Sequence, residues 1–359
     1  MKRIFKCSVP VIMFITLLTI FTSCSDWTDV ENIDIYNPGF EEQNPQLHAD
    51  YIRDLKKYKS GEHKLTFVSF NNPSGNPINQ AERLTAIADS VDFICLNNPD
   101  NLGSVTQNEM EKVREKSTHV LYTIDYQALE EEWKALQKED AELTEEEALA
   151  YLGNRIDAML SLCDTYNYDG IVISYNGRSL VSLTESALAK YGARQQNLFG
   201  RVTDWRNKHT AKTLAFNGNI QYLMPENMGM LGICDYIMLK TETSTNADDL
   251  TLKAYWAVQA GEDAKSEYYH GVNPVRTVCF IVCVELPQAN DKNQSKGYWN
   301  TLNTDGNKVT AALGAAGWML QASPDFIRKG LFIMNAQTDY YNNTYMQVRE
   351  VINIMNPNK

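Results

Sequence analysis

Tyr166-Asn167-Tyr168-Asp169-Gly170-Ile171-Val172-Ile173-Ser174-Tyr175-Asn176 is the stretch on which the reading of this chain turns. Asp169-Gly170 punctuates it, and the β-branched and aromatic residues that follow predict a strand from Gly170 to Tyr175. Side chains two apart in a strand share a face, so Val172, Ser174 and Asn176 point the same way and climb towards its C-terminal end. The strand arrives after a well-signalled helix. Thr144 and Glu147 form a capping box, and Leu149, Leu152, Ile156 and Met159 fall on one face of a pattern running from Thr144 to Leu162.

Working outward, β-rich runs recur at Leu65–Phe70, Phe93–Leu96, Val120–Ile124, Gly170–Tyr175, Thr213–Phe216, Tyr236–Leu239, Val278–Val284 and Leu331–Met334. Helical patterns lie between them at Gln80–Ala88, Thr106–Lys116, Thr184–Asn207, Leu250–Gln259, Val309–Leu320 and Thr344–Ile354. The charge-dense stretch Glu130 to Glu147 reads as a solvated helix face. Strands alternating with helices pair in parallel, and eight repeats predict an α/β fold, a (β/α)8 TIM barrel forming a single domain over residues 44–359. Asn44-Pro45 opens it with an N-cap and a first-turn proline, followed by Leu47, Tyr51, Leu55 and Tyr58 at helical spacing until Gly61. In such a barrel positions 172, 174 and 176 face inward, and 176 stands at the mouth, where barrel enzymes do their chemistry.

The Tyr168–Asn176 stretch resembles the fourth barrel strand of family 18 glycoside hydrolases, the chitinases and endo-β-N-acetylglucosaminidases, which carry Tyr/Phe-Asp-Gly-Ile-Asp-Ile-Asp-aromatic-Glu there. Tyr168, Asp169, Gly170, Ile171, Ile173 and Tyr175 match, whereas Val172 and Ser174 replace aspartates and Asn176 replaces the catalytic glutamate. The resemblance implies that a glutamate at 176 would protonate the glycosidic oxygen and an aspartate at 174 would orient the substrate's N-acetyl group, a substrate-assisted route. An amide cannot act as a general acid near neutral pH, and losing that function costs roughly 10²- to 10⁴-fold in rate. Ser174 also lacks the charge that would steady an oxazolinium-like intermediate. Two further strands depart from the family. Asp235–Glu242 lacks the tyrosine commonly found after the sixth strand, and Gly330–Asn335 lacks an aromatic floor on the eighth.

What replaces the acids is suited to holding sugar. Ser174, Tyr175 and Asn176 offer hydroxyls and an amide without the desolvation cost of a charge. Asp125, Asn217, Glu285, Trp299, Asn335, Gln337 and Tyr340 fall near the predicted strand ends, where amides and aromatic faces match the edges and flat sides of pyranose rings. Asn71, Asn72, Asn97, Asn98, Tyr126, Arg178, Asn219, Tyr298 and Tyr341 extend this rim. The expectation is a non-catalytic module that captures oligosaccharides, including N-glycans or other N-acetylglucosamine-containing glycans, in a degenerate cleft. Two alternatives stand beside it: a glycoside hydrolase with a relocated acid at Glu242, Glu285 or Asp125, and a structural partner in a membrane complex that binds no glycan.

The N-terminus supplies an address. Lys2, Arg3 and Lys6 precede an apolar stretch from Val9 to Phe21, short for a permanent membrane span, which predicts a signal peptide over residues 1–23. Phe21-Thr22-Ser23-Cys24 resembles the lipobox of bacterial lipoproteins, which implies lipidation of Cys24 as the mature N-terminus, followed by a flexible stalk to residue 43. The polar, acidic Ser25–Glu31 resembles the tag that sends some lipoproteins to the outer face of the outer membrane. Together with the family 18 likeness, this resembles the surface lipoproteins of polysaccharide-utilisation systems, whose partners are a TonB-dependent porin and its lipoprotein lid. Without its leader the chain retains 30 basic against 45 acidic residues, a net −15 that disfavours nucleic acid as a partner. Cys95, Cys163, Cys234, Cys279 and Cys283 read as buried small hydrophobes, and the five histidines are dispersed without ligand spacing, so neither a metal nor a cofactor is expected.

Overall fold

The computed structural model describes residues 40–288, 291–342 and 344–357. The leader, the lipobox cysteine and most of the expected stalk lie outside these residues. The chain divides into two compact units, with the boundary between Asp50 and Tyr51. In the first, residues expected to be patternless form a one-turn helix, α1 (Phe40–Gln43); the next helix, α2 (Pro45–Ser60), runs across the boundary.

The second unit is the barrel. Its strands β1 (Leu65–Phe70), β2 (Phe93–Leu96), β3 (His119–Asp125), β4 (Gly170–Tyr175), β5 (Thr213–Gly218), β6 (Tyr236–Leu239) and β7 (Phe280–Glu285) follow in order. The eighth barrel strand, β10 (Arg328–Met334), closes the ring by pairing in parallel with both β7 and β1. All eight barrel pairings are parallel; the crossovers are α-helical except between β1 and β2 and between β5 and β6, where 3-10 turns serve. The helices are α3 (Ser104–Glu115), α4 (Tyr126–Glu139), α5 (Glu145–Thr165), α6 (Glu185–Lys208), α7 (Ala247–Tyr268), α8 (Ala311–Met319) and α9 (Met346–Met355). Thr144 and Glu147 make both bonds of the capping box that starts α5.

Three sequence expectations are corrected here. Gln80–Ala88 is not a helix but two 3-10 turns, Gln80–Glu82 and Leu84–Ala86, separated by an extended Arg83. The Glu109 carboxylate on α3 accepts hydrogen bonds from the Leu84 amide at 2.9 Å and the Arg83 guanidinium at 2.7 Å, so tertiary partners replace helical ones. Val309 belongs to a hairpin, β8 (Tyr298–Leu302) with β9 (Lys308–Thr310), inserted between β7 and α8. The charged stretch Glu130–Glu147 spans the end of α4 and the start of α5, and part of it is ion-paired. Arg194 on α6 reaches Glu145 at 2.6 Å and Glu130 at 3.2 Å, and Arg155 holds Glu132 at 2.8 Å.

Polarity changes along the barrel axis. At the N-terminal end the interior is aromatic: Phe67 stacks on Phe93 at 4.1 Å, with Tyr236 edge-on to both. Above them Cys95, Leu121, Val172, Ala215, Met238, Ile281, Cys283 and Phe332 fill the ring, so this is a packed core and not a channel. The five cysteines of the barrel unit are all buried and unbridged. A second core lies between the outer strand faces and the helices, with Tyr122, Tyr168, Phe216 and Trp318 fully buried in it.

A repeated device fixes the strands at the N-terminal face. Asp92, Asp169 and Asp235 each precede an even-numbered strand and accept the amide of the second residue of the strand before it: Thr66 at 2.8 Å, Val120 at 2.7 Å and Leu214 at 2.9 Å. A cationic or basic side chain completes each one. His63 meets Asp92 at 2.9 Å, Arg114 Nε meets both Asp169 oxygens at 3.0 Å, and Arg206 meets Asp235 at 3.0 Å. Gly170, directly after Asp169, is needed for close approach: a Cβ there would sit 2.1 Å from the Thr213 carbonyl oxygen.

Candidate functional site

The mouth of the barrel is built where the strands end. On β4 the inward face carries Val172, fully buried in the interior core, then Ser174, then Asn176 just past the strand. Register places Asp125 of β3, Ser174 of β4 and Asn217 of β5 side by side, a carboxylate, a hydroxyl and an amide in one row. The row runs from the rim inward: Asp125 is exposed, whereas Ser174 is 7% and Asn217 2% exposed. Cys283 donates its thiol to Asn217 Oδ1 at 3.6 Å from across the interior. Burial pushes that thiol well above its ordinary pKa, so it stays protonated and fixes the amide's orientation.

The strand stops at Gly177, whose φ of +63° is a left-handed conformation and whose missing Cβ would lie 2.9 Å from the Tyr191 hydroxyl. Asn219 donates to the Asn176 carbonyl at 3.0 Å, which leaves the Asn176 side-chain amide at the mouth without a hydrogen bond among the described residues. Ser174 and Glu285 likewise bond no side chain there. Glu285 ends β7 beside Met334 of β10. Asp125 is exposed and caps α4 through the Gln127 amide at 3.0 Å. Glu242 lies 3.7 Å from Lys240, which falls two residues beyond the inward-facing Met238. Lys240 is the mouth residue that sequence reasoning passed over, although the strand's period of two points to it.

Several expected sugar contacts have other work. Tyr175 faces away from the mouth: its ring packs against Tyr126, Tyr191 and Phe199, and its hydroxyl accepts from Gln195 at 2.9 Å. Alternation along β4 demands this, because Ser174 and Asn176 point inward. Trp299 is 5% exposed and packs over Gly314 of α8, where a Cβ would approach its ring to 2.4 Å. It pins the β8–β9 hairpin to the body of the barrel and offers no open platform. Asn72 and Asn98 bind each other's loops reciprocally, Asn72 Nδ2 to the Asn98 carbonyl at 2.6 Å and the Asn98 amide to Asn72 Oδ1 at 3.0 Å. Ser69 donates to Asn97 at 3.1 Å. Gln337 accepts the Asn71 amide at 3.3 Å, and Asn335 takes the left-handed turn that ends β10. Tyr340 is half-buried between Tyr341 and Tyr345, and Tyr341 is the exposed aromatic of that loop. Asp169, at the opposite end of β4, belongs to the strand-fixing set and not to the mouth.

The arrangement therefore offers hydroxyl, amide and carboxylate groups around a closed floor, with no ionisable side chain on the inward face of β4 at 172, 174 or 176. Such a site can hydrogen-bond a polyhydroxylated ligand. It cannot deliver a proton from β4.

Comparison with solved structures follows the architecture. The barrel is similar to a selenomethionine form of BT1044 carrying a glutamate-to-glutamine change, with a TM-score of 0.58 and 16% identity over 89% of this chain and 96% of that one. It is also similar to the endo-β-N-acetylglucosaminidase of Cordyceps militaris, with a TM-score of 0.54 and 14% identity over 86% of this chain and 96% of that one. A mutant of that enzyme in complex with fucosyl-N-acetylglucosamine-Asn aligns at a TM-score of 0.53 and 15% identity over 85% and 95% of the two chains. At these identities the likeness speaks for the fold. No curated protein sequence matches the chain. The family model for BT1044-like members of glycoside hydrolase family 18 matches residues 28–354, almost the whole chain. With that match joined to the closed parallel barrel and the Tyr168–Asn176 strand, the chain belongs to glycoside hydrolase family 18, in its BT1044-like group.

Proposed function

We propose that this family 18 barrel is a non-catalytic glycan-binding protein that captures oligosaccharides, N-glycans or other N-acetylglucosamine-containing glycans among them, at the mouth formed by Ser174, Asn176, Asp125 and Asn217. One observation carries the reading: the inward face of β4 presents Val172, Ser174 and Asn176, and none of these can donate or hold a proton for glycoside cleavage. The remaining groups bind through hydrogen bonds to neutral partners, each worth about 1 kcal/mol net. A shallow site of this kind gains most from being held at a surface. The lipobox-like Cys24 and the acidic residues after it support a lipid-anchored protein on the outer face of an outer membrane, beside a TonB-dependent porin and its lipoprotein lid.

The purified protein, incubated with N-glycoproteins, chitooligosaccharides and mannans, is expected to retain at least one glycan and release no product. Product formation that disappears in Glu285→Gln or Glu242→Gln would replace this reading with a hydrolase using a relocated acid. Labelling with radioactive palmitate is expected in the wild type and absent in Cys24→Ala; equal labelling would remove the anchor.

A further inference from the structure

Five tryptophans lie among the described residues; four are buried, and Trp256 on α7 is 46% exposed. Leu252, Tyr255, Trp256 and Gln259 fall at the i, i+3, i+4 and i+7 spacing that lines one face of a helix, and all four are exposed. Tyr255 is held in place: its hydroxyl donates to Asp325 Oδ2 at 2.8 Å and its ring meets Phe326 edge-on at 5.6 Å. Trp256 is not, since its indole makes no hydrogen bond or aromatic contact among the described residues. A cluster of aromatic and aliphatic side chains left in water on one outward stripe marks a surface that takes a partner.

The stripe is a ridge between two clefts, and Trp256 and Gln259 line both. The larger, of about 570 Å³, is completed by Tyr255, Asn273, Thr277 and Asp325. Thr277 and Asp325 stand in the segments that lead into β7 and β10, so this cleft lies on the flank towards the N-terminal ends of the strands, away from the mouth. The smaller, of about 480 Å³, has an apolar wall of Leu223, Pro225 and Met228. Charge narrows the occupant. Glu262 and Asp325 line the larger cleft and Asp263 the smaller, and no lysine, arginine or histidine lines either, which disfavours an anion. A basic peptide would find Glu262 already bound by Lys265 and, at 2.8 Å, by Asn273, and Asp263 accepting from Gln259 at 2.7 Å. An apolar protein surface would meet Gln259, Thr277 and Asp325 breaking up the aromatic area. The Trp256 indole N–H, the Thr277 hydroxyl and Asp325 Oδ1 remain without hydrogen bonds among the described residues. A flat aromatic ring bordered by a donor, a hydroxyl and an acceptor matches a pyranose, whose face is apolar and whose edge is hydroxylated.

We propose that the α7 flank, with Trp256 as its stacking platform, is a second binding site for a neutral glycan chain, separate from the mouth at Asn176. The inference rests on the glycan-capture reading and extends it from one point of contact to two. A long or clustered glycan then engages mouth and flank together, and the second contact forms at high effective concentration.

The experiment follows the protein labelled with 5-fluorotryptophan by fluorine NMR, with the Trp256 resonance identified by its loss in Trp256→Phe. Chitooligosaccharides, mannan oligosaccharides and a released N-glycan are titrated in turn, as is a lysine-rich peptide. At least one glycan is expected to shift the Trp256 resonance in the wild type, and to shift it equally in Asn176→Ala, where the mouth is impaired. Trp256→Ala is expected to lower retention on the corresponding immobilised glycan by about three- to tenfold, with an unchanged unfolding midpoint because the ring packs on nothing. Glycan retained while the Trp256 resonance stays still, or a shift that vanishes in Asn176→Ala, overturns the second site and leaves capture at the mouth intact. A shift with the peptide and no glycan assigns the flank to a protein partner, and a shift with protein concentration alone assigns it to a second copy; either overturns the inference. Retention of none of the glycans overturns the capture reading for them, and the flank site with it.

Discussion

The two ends of β4 do opposite things with similar chemistry. At its N-terminal end Asp169 accepts two contacts from Arg114 at 3.0 Å and the Val120 amide at 2.7 Å, one of three aspartates that lock adjacent strands together. Seven residues later Asn176 stands at the mouth with its amide unbonded among the described residues, next to an equally unengaged Ser174. The motif residues that match the family pattern, Tyr168, Asp169 and Gly170, hold the barrel together: Tyr168 donates to the Pro99 carbonyl at 2.8 Å and Gly170 admits the β5 backbone. Those that depart from it, Val172, Ser174 and Asn176, stand where family chemistry would occur. A barrel separates folding from function along its axis, so the second can be lost while the first is kept.

Substitutions can break or sharpen this contrast, and the largest effects belong to the satisfied, buried groups. Trp299→Ala is expected to cost about 3–5 kcal/mol in urea denaturation by leaving a void over Gly314. A large loss of glycan binding without loss of stability would instead return Trp299 to the binding face. Asp169→Ala strands the Val120 amide and leaves Arg114 with Glu111 at 2.8 Å as its remaining acid, and an expected cost of about 2 kcal/mol should appear as a lower urea midpoint, with glycan affinity of the folded protein unchanged. Asn176→Ala should invert that pattern. Stability should stay within about 0.5 kcal/mol and glycan affinity should fall about five- to tenfold in calorimetry. Similar stability losses at 169 and 176 would erase the distinction between the two ends.

The smallest effect is a pH dependence at the N-terminal face. Burial pushes the His63 imidazole towards its neutral form, but the Asp92 hydrogen bond and charge, with the Gly61 carbonyl on the other ring nitrogen, outweigh it and raise the pKa above 6.5. A raised pKa contributes stability that is fully present below the unfolded value and lost as pH rises through the folded one. Thermal unfolding should therefore show a decline in stability above about pH 6.5 that is flattened in His63→Gln. An identical pH profile in the variant would show that the Asp92 cluster does not titrate with folding.

Much of this contrast was legible in the residues alone. The eight barrel strands could be read because each is a short apolar, β-rich run, most of them flanked by helical patterns, and β4 carried its inward face in the spacing of 172, 174 and 176. The β8–β9 hairpin was missed because Val309 sits on an apolar pattern continuous with α8, although Asp305-Gly306, with Gly306 at φ +79°, is a turn signal that could have revealed it. Gln80–Ala88 misled because Ala81 and Leu84 are buried at helical spacing while their backbone is held by Glu109, far away in sequence. At the site, residue types were legible and directions were not. Tyr175 and Trp299 have the chemistry of sugar contacts, but strand alternation turns one outward and a glycine on α8 buries the other.

The central claim, that the mouth binds without cutting, is tested most directly by mass spectrometry of glycans retained by the protein during prolonged incubation with N-glycoproteins, chitooligosaccharides and mannans. The account predicts intact glycan recovered from the protein and no shortened product. Products that accumulate with time, and cease in Glu285→Gln or Glu242→Gln, would contradict it.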